Sequence, residues 1–415
     1  MSTSICSPCV HDAFFQPLNA LVAASPYSRQ CPQLSDEHWL LTGVQRCLQQ
    51  RQSGRAFLQE YGAHLPAQPT HSNYFTSLQS PRRLELLRNT NDEVLCHAQF
   101  PDHLDCLAQL QDYECFVVDG HWHEAGTHAP LHRKTKMPVG HFYSLNLRGH
   151  QLRHLATAHG VHENDVRALK RIGPSGLRHE VPKGKRVLIV YDRGGQDFAL
   201  WKRCRVEKAV YFLSRAKRGL VYQPLQWLAL DPNDSRNQGI ESDQLIQHIT
   251  GGRMRLIDYV EPNLGKEYQF LTNELDLPAC VLVELYRRRW EVEKVFDEIK
   301  NKLAGNKAWG TSPVIKETQA QFLVLTHNLM LLYQHHLEVQ HTIVNVAEDK
   351  RRATRQQELR DYLAATGREI GILLCEARRV TQCSVKFIRW LRHCLNHRLA
   401  EADALPRLRS LYGLL

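Results

Sequence analysis

Two runs in the middle of the chain are apolar without interruption: Cys115-Phe116-Val117-Val118, closed by Asp119-Gly120, and Val187-Leu188-Ile189-Val190-Tyr191, closed by Asp192-Arg193-Gly194-Gly195. Short unbroken runs bounded by turn-formers predict strands buried on both faces, as in a parallel sheet. A third strand is expected at Val210–Leu213, after a helix over Phe198–Val206, whereas Arg171–Arg186, polar and carrying Gly and Pro, reads as a connection. Residues 219–271 hold short alternating patches, such as Leu225–Leu230 and Arg255–Val260, separated by Asp231-Pro232-Asn233-Asp234, and predict a β-rich insertion. The 3.6-residue period dominates elsewhere. Residues 11–110 read as short helices, one opening at Asp36 and running to about Gln50, and helical patterns run from Pro278 to the C-terminus.

The fold class expected is α/β. At about 150 residues per domain, 415 residues suggest two or three units, divided here as a helical N-terminal region (1–110), a strand-bearing central region (111–340) and a helical C-terminal region (341–415). Composition is that of a folded globular chain, 43% hydrophobic and 23% charged, and no window reaches the 18 uncharged apolar residues of a membrane span. The opening residues lack the basic and apolar segments of a secretory signal, so a cytoplasmic location is expected. The net charge is +10, and its distribution is informative. Basic and acidic residues number 7 and 9 in 1–110, 12 and 8 in 111–192, 20 and 18 in 193–340, and 14 and 8 in 341–415. An excess that is central and C-terminal suits a polyanionic partner, because each neutralised phosphate releases condensed counterions. Twelve scattered cysteines read as reduced thiols. Neither Cys6 and Cys9 nor Cys394 and His397 have the second close pair of a structural zinc site, and His121, His123 and His128 read as a solvated loop.

The richest stretch is Tyr286–Lys300. At about 100° per residue, Tyr286, Arg289, Glu293 and Lys300 fall within roughly 60° of one another, beside an apolar stripe of Val281, Leu285, Val292, Phe296, Ile299 and Leu303. In isolation the helix reads equally well as a solvated one with an i,i+4 pair between Arg289 and Glu293. The aspartates closing the two buried strands favour a site, because parallel sheets commonly place chemistry at strand C-termini. Asp119, Asp192 and Glu293 could together hold two divalent cations. Three converging carboxylates repel without bound cations, and hard oxygen donors favour Mg²⁺ or Mn²⁺. Two such ions suit in-line displacement at phosphorus.

The spacing Y-x-x-R-x-x-x-E-x-x-x-x-x-x-K at Tyr286, Arg289, Glu293 and Lys300 resembles the signature of a large family of bacterial insertion-sequence transposases of the DDE type. Val117-Val118-Asp119-Gly120, Tyr191-Asp192-Arg193-Gly194 and Phe270-Leu271-Thr272-Asn273 resemble that family's strands before each acidic residue. The resemblance implies a ribonuclease-H-like catalytic core with a β-rich insertion at about 219–271, flanked by helical regions for end recognition and for synapsis or dimerisation. It implies Asp119, Asp192 and Glu293 as catalytic metal ligands for two Mg²⁺ or Mn²⁺ ions, and Tyr286, Arg289, Lys300 and Trp290 as DNA contacts. The substrate would be double-stranded DNA with terminal inverted repeats, cut and joined through its 3′-OH ends to target DNA by a homodimer. Members with such an insertion can pass through a hairpin-ended intermediate, for which Trp290 and Trp227 are candidate stacking rings. The rivals are a non-catalytic DNA-binding descendant and another two-metal nuclease.

Overall fold

The computed structural model describes residues 9–414 except 26–27, 30, 32, 50–52, 63–68, 133, 161–162, 180, 232, 251, 263–264 and 366–384. Five helices come first: α1 (Val10–Ala24), α2 (Asp36–Leu48), α3 (Gly54–Tyr61), α4 (His71–Ser77) and α5 (Pro81–His97). Ser35, Ser53, Thr70 and Ser80 begin α2 to α5, each accepting a backbone N–H of the first turn and so satisfying one of the donors a helix start leaves open. The sheet begins with β1 (Tyr113–His123), the short hairpin β2 (Leu131–His132) and β3 (Thr135–Lys136), then β4 (Val139–Asn146) and β5 (Leu152–Thr157). Helix α6 (Asp165–Arg178), β6 (Arg186–Val190), α7 (Phe198–Lys208) and β7 (Val210–Arg215) follow. The alternating patches form β8 (Tyr222–Trp227), β9 (Ile240–His248), β10 (Gly252–Glu261) and β11 (Lys266–Thr272). Helices α8 (Ala279–Arg288), α9 (Trp290–Asp297), α10 (Pro313–His341) and α11 (Val346–Ala365) come next, then helices Val385–His397 and Glu401–Tyr412.

Nine strands make one mixed sheet in the order β5-β4-β1-β6-β7-β11-β10-β9-β8. Only β1–β6 and β6–β7 pair in parallel, and these strands are the unbroken apolar runs. Alternate residues of each run feed two separate cores. Cys115, Val117, Leu188, Val190 and Leu213 join a cluster reaching from Val10 on α1 to Tyr412, with Val281, Leu285, Val292 and Phe296 of α8 and α9. Phe116, Val118, Val187, Ile189 and Phe212 face the other way, against Leu169 and Leu177 of α6 and Trp201 of α7. N-terminal and C-terminal helices thus share one core with the central sheet; α10, about 44 Å long at 1.5 Å per residue, lies among them. Asn328 of α10 closes both hydrogen-bonding groups of Leu152 on edge strand β5, at 2.9 and 3.0 Å. No helix among the described residues is long and apolar enough to cross a membrane.

Three expectations need correction. The strand expected to stop at Asp119-Gly120 continues to His123, because β4 pairs with it antiparallel from Phe116↔Asn146 to His123↔Val139. His121 and His123 are therefore buried strand residues rather than a solvated loop; only His128 is exposed. Their rings continue into His141 of β4 and His154 of β5, with successive centroids 4.9 to 5.2 Å apart. Finally, part of the stretch read as a connection is helical, within α6: Asn164 accepts from Arg167 N–H to cap it, and the Gly173-Pro174 kink, with φ +69° at Gly173, divides it into two helical stretches.

Buried imidazoles make the fold acid-sensitive. Burial pushes the pKa of His123 down to about 4 and those of His154 and His179 down to about 3, with repulsion from Arg88 adding at His154 and from Arg153 at His179, and holds His150 well below its ordinary value of 6.5. Below about pH 6.5 the unfolded chain takes up protons that the folded chain refuses. Stability therefore falls with falling pH from about 6.5 towards 4, by up to about 1.4 kcal/mol per pH unit for each such histidine. Denaturant midpoints measured at pH 7.5 and 5.5 should show a clear drop at the lower pH.

Candidate active site

The parallel register between β1 and β6 sets the site. Val117 pairs with Val190, the last pair of this parallel ladder, and Asp119 and Asp192 each lie two residues beyond it. In β1 the two-residue period puts Asp119 on the face of Cys115 and Val117, towards α8 and α9. Asp119 is not at the end of its strand, but it does lie just past the end of the parallel pairing. Asp192 leaves β6 in extended conformation and caps the turn Arg193–Gly195, accepting from Arg193 N–H at 2.6 Å. Ser214 of β7 donates to the Asp192 carbonyl at 3.3 Å, tying this turn to the next strand.

Glu293 arrives on α9. The segment expected to be one regular helix bends its rules after Asp297: Glu298–Lys302 is a π-helical turn, closed by Leu303 N–H on Glu298 O at 2.9 Å. Such turns often mark functional sites. The Glu298 side chain is fully buried, and its Oε1 meets Nδ1 of His327 on α10 at 2.9 Å, while His327 Nε2 reaches the carbonyl of His150 at 3.1 Å. Beyond the turn, the Gly305 carbonyl meets His123 Nδ1, and Glu124 exchanges backbone hydrogen bonds of 2.8 Å with Asn306 and Ala308. The helix is thus clasped to the far end of the strand that carries Asp119.

Arg289 joins the two elements. Its Nη2 donates to Glu293 Oε1 at 2.7 Å and its Nη1 lies 3.9 Å from Asp119 Oδ2, with the Arg289 side chain only 11% exposed. The i,i+4 pair of a solvated helix is therefore present, but it is half of a bridge between two carboxylates rather than a surface contact. Tyr286 packs on Phe270 with centroids 4.8 Å apart, and burial, opposed by Arg289, pushes its hydroxyl up to about 12. Lys300 is exposed on the π turn, close enough to His121 to repel its proton. Trp290 is 62% exposed. Trp227, on the edge strand β8, is 66% exposed, so it is no core residue of the insertion.

A fourth carboxylate completes the group, and nothing in the sequence reading named it. Asp165 opens α6 on the opposite face of the sheet. The residues after the two aspartates make room for it: a Cβ on Gly120 would sit 3.3 Å from Asp165 Oδ1, and one on Gly194 would sit 3.2 Å from Oδ2. One carboxylate therefore spans the backbone that follows Asp119 and the backbone that follows Asp192. Burial, with repulsion from Asp165 and Glu293 against the attraction of Arg289, pushes the Asp119 carboxyl up to about 6. The Asp165 carboxyl is likewise raised by burial and by Asp192. The Asn164-Asp165 start before Leu169 and Ile172 carried the signal of a capped, acidic helix start; the Gly-Pro pair downstream obscured it.

Residues 111–329 match the family described as Transposase DDE domain. The chain belongs to this family. The match spans β1 to the middle of α10 and includes all four carboxylates, Tyr286, Arg289 and Lys300. No curated protein matches the chain. The family assignment makes a DNA-processing transposase of this α/β protein, with its large mixed sheet and flanking helices.

The buried tie beneath the π turn gives a direct test of how the transposase holds its helix. His327→Ala leaves the Glu298 carboxylate buried without its partner and should cost about 3 kcal/mol, read from denaturant unfolding of the purified chain.

Proposed function

We propose that this transposase cuts DNA at the ends of an insertion sequence and joins the freed 3′-OH ends to target DNA, with Asp119, Asp192 and Glu293 as its metal-ligating triad. One observation carries the reading: Asp119 and Glu293, far apart in the chain, meet around the Arg289 guanidinium, and Asp119 and Asp192 both lie two residues beyond the point where β1 and β6 stop pairing. The donor set fits the metal that the family implies. Every candidate ligand is a carboxylate oxygen, the choice of Mg²⁺ and Mn²⁺, and the Asp119 carboxyl is raised by burial and then by repulsion from Asp165 and Glu293. Two divalent ions held there would supply Lewis-acid activation of the attacking and leaving oxygens in displacement at phosphorus.

The chain's own residues then divide the work. Arg289 orients Asp119 and Glu293 against each other, Lys300 offers an exposed cation for a phosphate beside them, and Tyr286 presents a neutral hydroxyl from a packed ring. Asp165 adds negative charge from the α6 side. The strand order β5-β4-β1-β6-β7, antiparallel then parallel, supports a ribonuclease-H-like core, with β8–β11 as the insertion continuing the sheet. On this reading residues 1–110 recognise the element end and residues 341–415 serve synapsis within a homodimer acting in the cytoplasm. Of the C-terminal basic residues, Lys386 and Arg389 lie on the described helix, whereas Arg378 and Arg379 lie outside the described residues. Arg392 is committed to the fold, donating to the Leu48 carbonyl at 2.6 Å. The exposed rings of Trp290 and Trp227 suit bases taken out of the stack in a hairpin-ended intermediate.

Asp119→Ala, Asp192→Ala and Glu293→Ala should each lower Mg²⁺-dependent cleavage of a plasmid carrying the element's ends by about a thousandfold or more, the loss of several kcal/mol of charge stabilisation. Gel-shift affinity should be kept. Asp165→Asn should lose about ten- to a hundredfold, as a group acting beside the ligands does. A triad variant cleaving at the wild-type rate would remove that residue from the triad.

Lys300→Ala should flatten the salt dependence of end binding by about 0.9 in the log–log slope, one phosphate's worth of released counterion. Binding titrations across a salt series read this directly, and an unchanged slope would take Lys300 off the DNA.

A further inference from the structure

Beyond the family's matched segment, the end of α10 meets the start of the last helix. His336 and His341 lie in the closing turns of α10, and Glu401 is the first residue of helix Glu401–Tyr412. One ligand atom from each of the three lies within 4.8 Å of the other two. His341 Nε2 stands 3.8 Å from Glu401 Oε2, too far for a hydrogen bond. It is close to the roughly 3.3 Å that separates neighbouring ligands of a tetrahedral ion with bonds of 2.0–2.1 Å.

The supports of these side chains are those of a built site. Glu401 is 6% exposed, an unusual place for a carboxylate, and its other oxygen lies 3.5 Å from the hydroxyl of Tyr333. The Tyr333 ring stacks between His336, at 5.9 Å and 13°, and Trp390, at 6.4 Å and 10°. Trp390 is itself pinned by its Nε1 donating to Ala404 O at 3.0 Å. The ring of His336 is thus held by packing, and its exposed side leaves room for water. Two imidazoles and a carboxylate with an open fourth position are the ligand set of a zinc ion; hard ions such as Mg²⁺ prefer all-oxygen cages.

We propose that His336, His341 and Glu401 bind one zinc ion that clamps the last helix to the end of α10, separate from the carboxylate site and independent of the function proposed for it. Such an ion would tie the C-terminal helices, with their basic surplus, to the long helix whose His327 anchors the Glu298 turn.

The test uses the full chain, freed of metal by a chelator and titrated calorimetrically with Zn²⁺ while Mg²⁺ in excess fills hard-oxygen sites. One zinc per chain is expected, with a rise in melting temperature. His336→Ala, at an exposed position, should weaken binding at least about tenfold while keeping the wild-type circular dichroism spectrum, as should Glu401→Gln. Asp119→Ala should bind zinc as the wild type does. Co²⁺ in place of zinc should give the strong visible absorption of a four-coordinate centre. No zinc uptake by the wild type, wild-type uptake by His336→Ala, or loss of uptake in Asp119→Ala would each overturn the site.

Discussion

The parallel pairing of β1 with β6 is the constraint on which the rest of this molecule depends. It stops at Val117↔Val190, and each aspartate follows two residues beyond that shared stop. Every neighbouring element is placed by what those strands leave exposed. One face takes the apolar stripe of α8 and α9, bringing Glu293 with it, and the other takes α6, bringing Asp165. Between Cys115 and Val118 and between Val187 and Val190 both strands are apolar on both faces, as the centre of such a sheet requires, and the aspartates come just past these runs.

Bringing like charges together is costly, and the structure offsets that cost in two ways. Arg289 is inserted between Asp119 and Glu293, and the Gly120 and Gly194 positions keep side chains away from the Asp165 carboxylate. Burial, with the repulsion from Asp165 and Glu293 that remains, keeps the Asp119 carboxyl raised. A helix carrying such a load needs a firm base. Glu298 and His327 provide it from α10, while His123 and Glu124 hold the following segment to β1.

Position in the sheet also explains the histidines. Four imidazoles in a row across β1, β4 and β5 are buried because the sheet continues past the aspartate; ending the strand at Asp119-Gly120 puts two of them, His121 and His123, in solvent. Burial keeps them uncharged, and the fold inherits a sensitivity to acid.

The sequence by itself determined the buried strands, the alternating strands of the insertion, the helical ends, and the four-residue spacing of Tyr286, Arg289, Glu293 and Lys300, because local period and turn residues specify these without reference to the rest of the chain. It also named Asp119, Asp192 and Glu293, through the strand ends and the signature. Tertiary structure decided what no local pattern contains. Whether Asp119 ends its strand depends on a partner strand, β4, that extends the pairing. Whether Arg289 is a surface charge or a buried bridge depends on how close β1 lies. Asp165, on a helix partly hidden behind a Gly-Pro break, and the trio of His336, His341 and Glu401, split by more than fifty residues of chain, become sites only when packing brings them together. Charge and coordination act through space, and a linear pattern records only neighbours along the chain.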